Sequence, residues 1–241
     1  MKYFAFVILI AVVVFVSCKK TNSTTTSVLF YNGTWSLDAI TAAWNGGSII
    51  ASPLAQGQSS VKADSAYIQV PAGTNLITVK AGSTTLLDKH NYSMAAAGSS
   101  FIFFDTSTAT APVRIMQLTD DLSLPDTGTF KYRIINLVPD TGVKADIWLV
   151  NGVTDSVRLD SANTFIGSTA EAAAVQNFDT TTYRRAAYTV KFKKTGTEEI
   201  YASVAAYPFA AQGIYSIMFS GLLNGTGSTG FKLSVLHHHI P

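Results

Sequence analysis

The sequence predicts an all-β protein, two tandem antiparallel β-sandwich domains of immunoglobulin-like or transthyretin-like kind behind an N-terminal export signal. Three observations carry this. Of 241 residues, 47% are hydrophobic and 13% charged, with fourteen Phe and ten Tyr, which supports real cores and favours strands over charged helices. Short runs alternate apolar and polar residues between Gly, Pro, Asn and Asp, as strands do between turns. Segments of the first half also recur in the second.

The clearest element is Phe130 to Gly152. Phe130, Tyr132 and Ile134 alternate with Lys131 and Arg133, the period of a strand with one buried face. Pro139 presets φ, Asp140 is placed to bond its own downstream backbone, and Gly142 is expected at positive φ to close the turn. Ala145 to Val150 is a second strand, and Asn151-Gly152 reads as a type I′ hairpin turn. In the first half, strands are expected at Ala66–Val70, Leu76–Ala81, Thr84–Lys89, Phe101–Asp105 and Val113–Leu118. In the second they are expected at Tyr188–Lys193, Glu199–Val204, Tyr215–Ser220 and Phe231–Leu236. Glu171 to Gln176 is the one stretch of helical composition.

The repeat is most legible where Tyr92 to Phe104 lies over Tyr207 to Phe219 without a gap, matching a tyrosine, two alanines, a glycine and the final phenylalanine. Trp44-Asn45-Gly46 answers Trp148 to Gly152, and Val28 to Asn32 answers the strand ending at Asn136. Residues 28–119 and 130–241 are therefore the expected domains, joined by a turn-rich linker at 120–129 that holds Asp120, Asp121, Pro125, Asp126 and Gly128. The run Arg133-Ile-Ile-Asn136-Leu-Val-Pro139-Asp140, followed by Asp146 to Gly152 and later by Tyr207, Ala210, Ala211 and Gly213, resembles the domain-of-unknown-function family 4397, found in tandem in lipoproteins of Bacteroidota. The first half departs from it, with Asn32-Gly33-Thr34 where the Pro-Asp turn belongs. The resemblance implies a secreted or surface-attached β-sandwich without an assigned reaction, and it supplies no catalytic residues.

Residues 1–17 read as a signal peptide, with Lys2 before an apolar run from Tyr3 to Val16 that is too short to span a bilayer comfortably. Cys18, the single cysteine, follows Phe15-Val16-Ser17 and resembles the lipidated cysteine of a bacterial lipobox. The resemblance implies cleavage, acylation of Cys18 and a lipid anchor in the outer membrane, on its periplasmic or its outer face. Residues 18–27 would then be a polar tether.

The formal charge of +2 falls to about +1 once Lys2 is removed with the signal, too little for a nucleic-acid surface. The cluster Lys193-Lys194 is read as a strand edge guarded against unwanted pairing. Gly225 to Gly230 spells GxGxxG but precedes a strand instead of opening a helix, so it is read as a flexible loop. His237 and His239 share one face of the last strand and are candidate metal ligands, although a pair alone holds a metal weakly and a polar chain end explains them. Trp44 and Trp148 are expected in the two cores, whereas Trp35, on a turn, is the candidate for ligand contact. Four triplets beginning at Asp64, Asp155, Asp160 and Asp179 resemble acceptors of O-glycosylation in Bacteroidota.

These readings converge on a non-enzymatic envelope lipoprotein without cofactor. Its expected partners are the membrane, through its anchor, and a glycan or envelope protein. A structural, fimbrillin-like subunit is the alternative, weakened because the first arginine is Arg114 and arginine-specific trimming would need an earlier one. A hydrolase is the least favoured reading. It would need a pocket bringing two aspartates, or His90 and an aspartate, within hydrogen-bond reach, and none is expected.

Overall fold

Two strands in each half are buried on both faces, and they determine how the layers stack. The computed structural model describes residues 25–50, 52–60, 67–94, 98–107, 113–140, 142–152, 155–166, 175–182 and 187–239. The signal run, Cys18 and the helix-like residues 171–174 lie outside them. In the first half, β1 (Thr25–Asn32), β5 (Ile68–Pro71), β8 (Gly98–Asp105) and β9 (Val113–Asp120) form one sheet, ordered β5-β1-β8-β9. Facing it are β2 (Ala39–Trp44), β3 (Gly47–Ser48), β6 (Gly73–Ala81) and β7 (Thr84–Met94), ordered β3-β2-β6-β7, with β4 (Leu54–Ala55) paired to β2. The second half repeats the plan. Its sheets are β13-β10-β16-β17, from Asp179–Thr182, Thr129–Asn136, Ile214–Ser220 and Lys232–His239, and β12-β11-β14-β15, from Asp155–Asn163, Ala145–Asn151, Tyr188–Lys194 and Ile200–Tyr207.

The protein is all-β and sandwich-like, as expected, and mostly antiparallel. The first strand of each half, however, pairs parallel to its neighbour, β1 with β8 and β10 with β16. Both halves also share an asparagine at the end of that strand. Asn32 Oδ1 accepts from the Thr34 N–H at 3.1 Å, and Asn136 Oδ1 from the Val138 N–H at 3.0 Å, while each side-chain amide donates to a carbonyl across the loop.

Three buried layers follow from strand alternation. Val28, Phe30, Phe101 and Phe103 face the first half's own core, and Tyr132, Ile134, Ile217 and Phe219 face the second's. The residues between them, Leu29, Tyr31, Ile102 and Phe104, meet Ile135, Leu137 and Met218 in a third cluster, which joins the two halves sheet to sheet. Strands buried on both faces read as continuous apolar runs, and β1 and β8 do. Phe104 thus belongs to the central layer while Phe219 belongs to its own half's core, and Phe103 is the residue equivalent to Phe219. Gly33 N–H donates to the carbonyl of Phe103, as Leu137 N–H does to that of Phe219. The gapless overlay therefore slips by one residue here, enough to exchange faces.

Several local expectations change. Asp140 Oδ1 does accept from Gly142 N–H at 2.9 Å, but Gly142 is not at positive φ. Asn151 pairs with Asp155, so three residues separate the strands and the turn is not a two-residue hairpin. Asn45-Gly46 is instead a two-residue turn with both residues at positive φ, 49° and 84°, between paired Trp44 and Gly47. Strand β14 lies between β11 and β15, so Lys193 and Lys194 guard no edge; they pair with Glu198 and Glu199 at 2.6 and 3.3 Å. Between β9 and β10 the chain is tied down. Lys131 Nζ donates to Asp121 Oδ2 and to Ser123, and Gln212 to the carbonyl of Pro125.

Candidate functional site

Arg133 was placed by alternation on a solvent face, yet it is only 2% exposed, because that face meets the other half. It anchors a closed ring of polar groups. Its Nε donates to Ser216 Oγ at 2.7 Å, and Ser216 Oγ lies 2.7 Å from His238 Nε2. His238 Nδ1 meets Tyr67 Oη, which donates to Asp120 Oδ2 at 2.8 Å. Arg133 Nη2 closes the ring on Asp120 Oδ1 at 2.6 Å, and Ser100 Oγ adds a bond to Asp120 Oδ2 at 2.7 Å. Each proton has one place if His238 is neutral with its hydrogen on Nδ1, since Ser216 already accepts from Arg133 and must give its own proton to Nε2. Burial drives the imidazole the same way, pushing its pKa down to about 3. For Asp120 burial acts upward, but the Arg133 guanidinium and the bonds from Ser100 and Tyr67 outweigh it, leaving the carboxyl below its ordinary value.

This ring holds a Ser, a His and an Asp, but all three are buried and Tyr67 stands between the last two. It is a cross-link between halves. Two residues of the expected linker and chain end, Asp120 and His238, are its centre. The only sequence signal for them is a carboxylate and an imidazole placed where strands, not loops, end.

The other candidates separate. His237 and His239 flank buried His238 on β17, and among the described residues no three His, Cys, Asp or Glu side chains converge as a metal site would require. Trp35 sits in the bend after β1, half-buried. Its indole donates to the Ser107 carbonyl at 3.1 Å and its N–H to Asp105 Oδ2 at 2.6 Å. Trp44 is in the first core, but Trp148 is not in the second. It lies on the outer face of β11, with Arg158 and Lys193 5.8 and 5.4 Å from its ring. The GxGxxG segment opens no helix of a nucleotide site. It forms one tight 3-10 turn at Gly227–Thr229, braced by Leu222 N–H on the Thr229 carbonyl. Of the acceptor triplets, Ser156, Ser161 and Thr180 are exposed on β12 and β13, while Asp64 lies outside the described residues.

A different feature is open to small molecules. Between the sheets of the first half, a cavity of about 380 Å³ is lined by Val79, Leu86, Leu87, Tyr92, Phe103, Val113 and Ile115. Arg114 borders it as well, but the alternation of β9 turns its side chain to the opposite face. Because the halves share one topology, the second shows what would fill such an opening. There Phe231 packs 4.9 Å from Phe219, the equivalent of Phe103, and Tyr201 lies 5.2 Å from Phe231. The aromatic plug closes the edge between β15 and β17. Along the edge between β7 and β9, smaller aliphatic residues leave it open.

Compared with protein-family models and with curated proteins, the chain matches no family model and no curated protein.

Proposed function

We propose that the protein is a non-catalytic binding component of the cell envelope that holds the apolar part of a small amphipathic molecule between the sheets of its first half. The lipid anchor at Cys18, the envelope location and kinship with the domain-of-unknown-function family 4397 belong to the same proposal and rest on the sequence. The observation that carries the binding role is the open cavity over Phe103, where the second half covers Phe219 with Phe231 and Tyr201. Its volume falls in the range of small-ligand sites, and its lining is predominantly aliphatic and aromatic, the chemistry that favours acyl or comparable hydrocarbon groups. A glycan platform at Trp35 has less support, because the indole N–H is already bonded to the chain.

The test is titration of a version beginning at Thr25 with a dansylated undecanoic acid. Saturable fluorescence enhancement is expected, and it should be lost in Val113→Trp, which fills the cavity. No enhancement, or equal enhancement in the filled variant, would remove the binding site. The anchor is tested separately, since Cys18→Ala should move the protein out of the membrane fraction.

A further inference from the structure

In the second half, a cleft beneath β10 and β12 brings together two buried polar atoms that have no partner. Arg133 uses Nε and Nη2 in the ring, and its Nη1 makes no hydrogen bond although the side chain is 1% exposed. Asn163 Nδ2 donates to Asp160 Oδ2 at 2.7 Å, and its Oδ1 is buried and likewise unpaired. Both residues line one cavity of about 250 Å³, with Asp160, Asn177 and Asp179 among the other walls. A buried donor or acceptor left unpaired costs about 1–3 kcal/mol, so the cleft is complementary to a molecule offering Arg133 an acceptor and Asn163 a donor.

Charge identifies those groups. Asp120 already balances Arg133, whereas Asp160 and Asp179 leave the cleft negative. The neighbouring Tyr132 registers this field: burial first, then Asp179 and Asp160, push its phenol up to about 12. A negative wall with an unpaired amide oxygen suits an ammonium group, and the unpaired guanidinium hydrogen suits a carboxylate. Beyond Ile134, Asn163 and Val175, which the two spaces share, a second space of about 250 Å³ is walled by Ala162, Phe165 and Ile166, with Asn136 and Thr164 at its polar side. It is the apolar extension that an aliphatic side chain would occupy.

We propose that this cleft binds a free α-amino acid with an aliphatic side chain, its carboxylate on Arg133, its ammonium between Asn163 and the two aspartates. The site is independent of the first-half cavity, so either can fail without the other. Asp160 and Asp179 share the lining of the cleft without a hydrogen bond between them, and both oxygens of Asp160 are engaged, by Ser161 N–H and Asn163.

The experiment is calorimetric titration of the full chain in detergent with L-leucine, with isoamylamine, which lacks the carboxylate, and with 4-methylpentanoate, which lacks the ammonium. Saturable leucine binding is expected, with each truncated analogue weaker by about tenfold or more. Asp179→Asn, at an exposed position, should weaken leucine by about tenfold while keeping the fatty-acid probe titration of the parent chain. Absence of saturable leucine heat, binding of either analogue equal to leucine, or an unchanged Asp179→Asn variant would overturn the assignment. In the first case water alone occupies the cleft.

Discussion

His238 illustrates how a residue's chemistry is decided by what its neighbours have already accepted. Ser216 accepts a hydrogen bond from Arg133 and donates one to the imidazole, so a second proton on His238 would face a donor. Unfolded, the ring titrates near 6.5; folded, only near 3. The unfolded chain therefore binds the proton first, and stability that is complete above about pH 6.5 is lost as the pH falls toward 3, at about 1.4 kcal/mol per unit. Urea unfolding at pH 7.5 and 5.0 should show a decrease of about 2 kcal/mol, and His238→Gln should flatten the slope. A variant with the parent's pH profile would place the titration elsewhere. Arg133 carries the complementary expectation. Arg133→Met leaves Asp120 buried and unpaired and should cost about 3–5 kcal/mol in the same unfolding assay, provided the fold survives. Neither role was legible in the sequence, because alternation separates two faces of a strand and does not say that the second face meets protein instead of water.

At the scale of elements, the sequence was most readable where one face is apolar and the other polar and only partly buried, as in β14. It was least readable at β12 and β13, which were missed. They are edge strands of Asp, Ser, Thr and Arg with no fully buried position, held by ladder bonds more than by packing. Corresponding strands also diverged in the direction of their tryptophans. Trp44 turns inward with Ile40 and Ala42, whereas Ile147 and Leu149 take the inner face of β11 and leave Trp148 outside. One pair of equivalent positions at strand ends shows the halves fitted to each other. A side chain at Gly33 would run into Leu137, its counterpart in the second half, so one position is empty because the other is full. Gly33→Ala should cost about 1–3 kcal/mol, and Leu137→Ala in the same chain should recover part of it, a coupling that a double-mutant cycle measures. Strict additivity would mean that the two positions do not share this space.

At the scale of the molecule, the halves have separate sheets but a common middle. The central apolar layer, the Arg133–Asp120 pair and the bonds from Lys232 and Ser234 to Gln56 and Gly57 all cross between them. Unfolding one half would expose that layer and strand buried charges, so a single cooperative transition is expected. Trp44 reports on the first half and Trp148 on the second, and single-tryptophan variants retaining one or the other should give coincident urea midpoints. Separated midpoints would show the middle layer to be weak. By itself, the sequence determined the all-β class, most strands and the presence of a repeat, because period-two patterns and turn residues are local consequences of backbone geometry. Only the tertiary structure decided that the faces of β10 and β17 meet the first half, that Asp120 and His238 are core residues and that one sandwich edge is plugged while the other is open. Those outcomes depend on which surfaces come together, and the pairing of surfaces is a property of distant residues that no local period records.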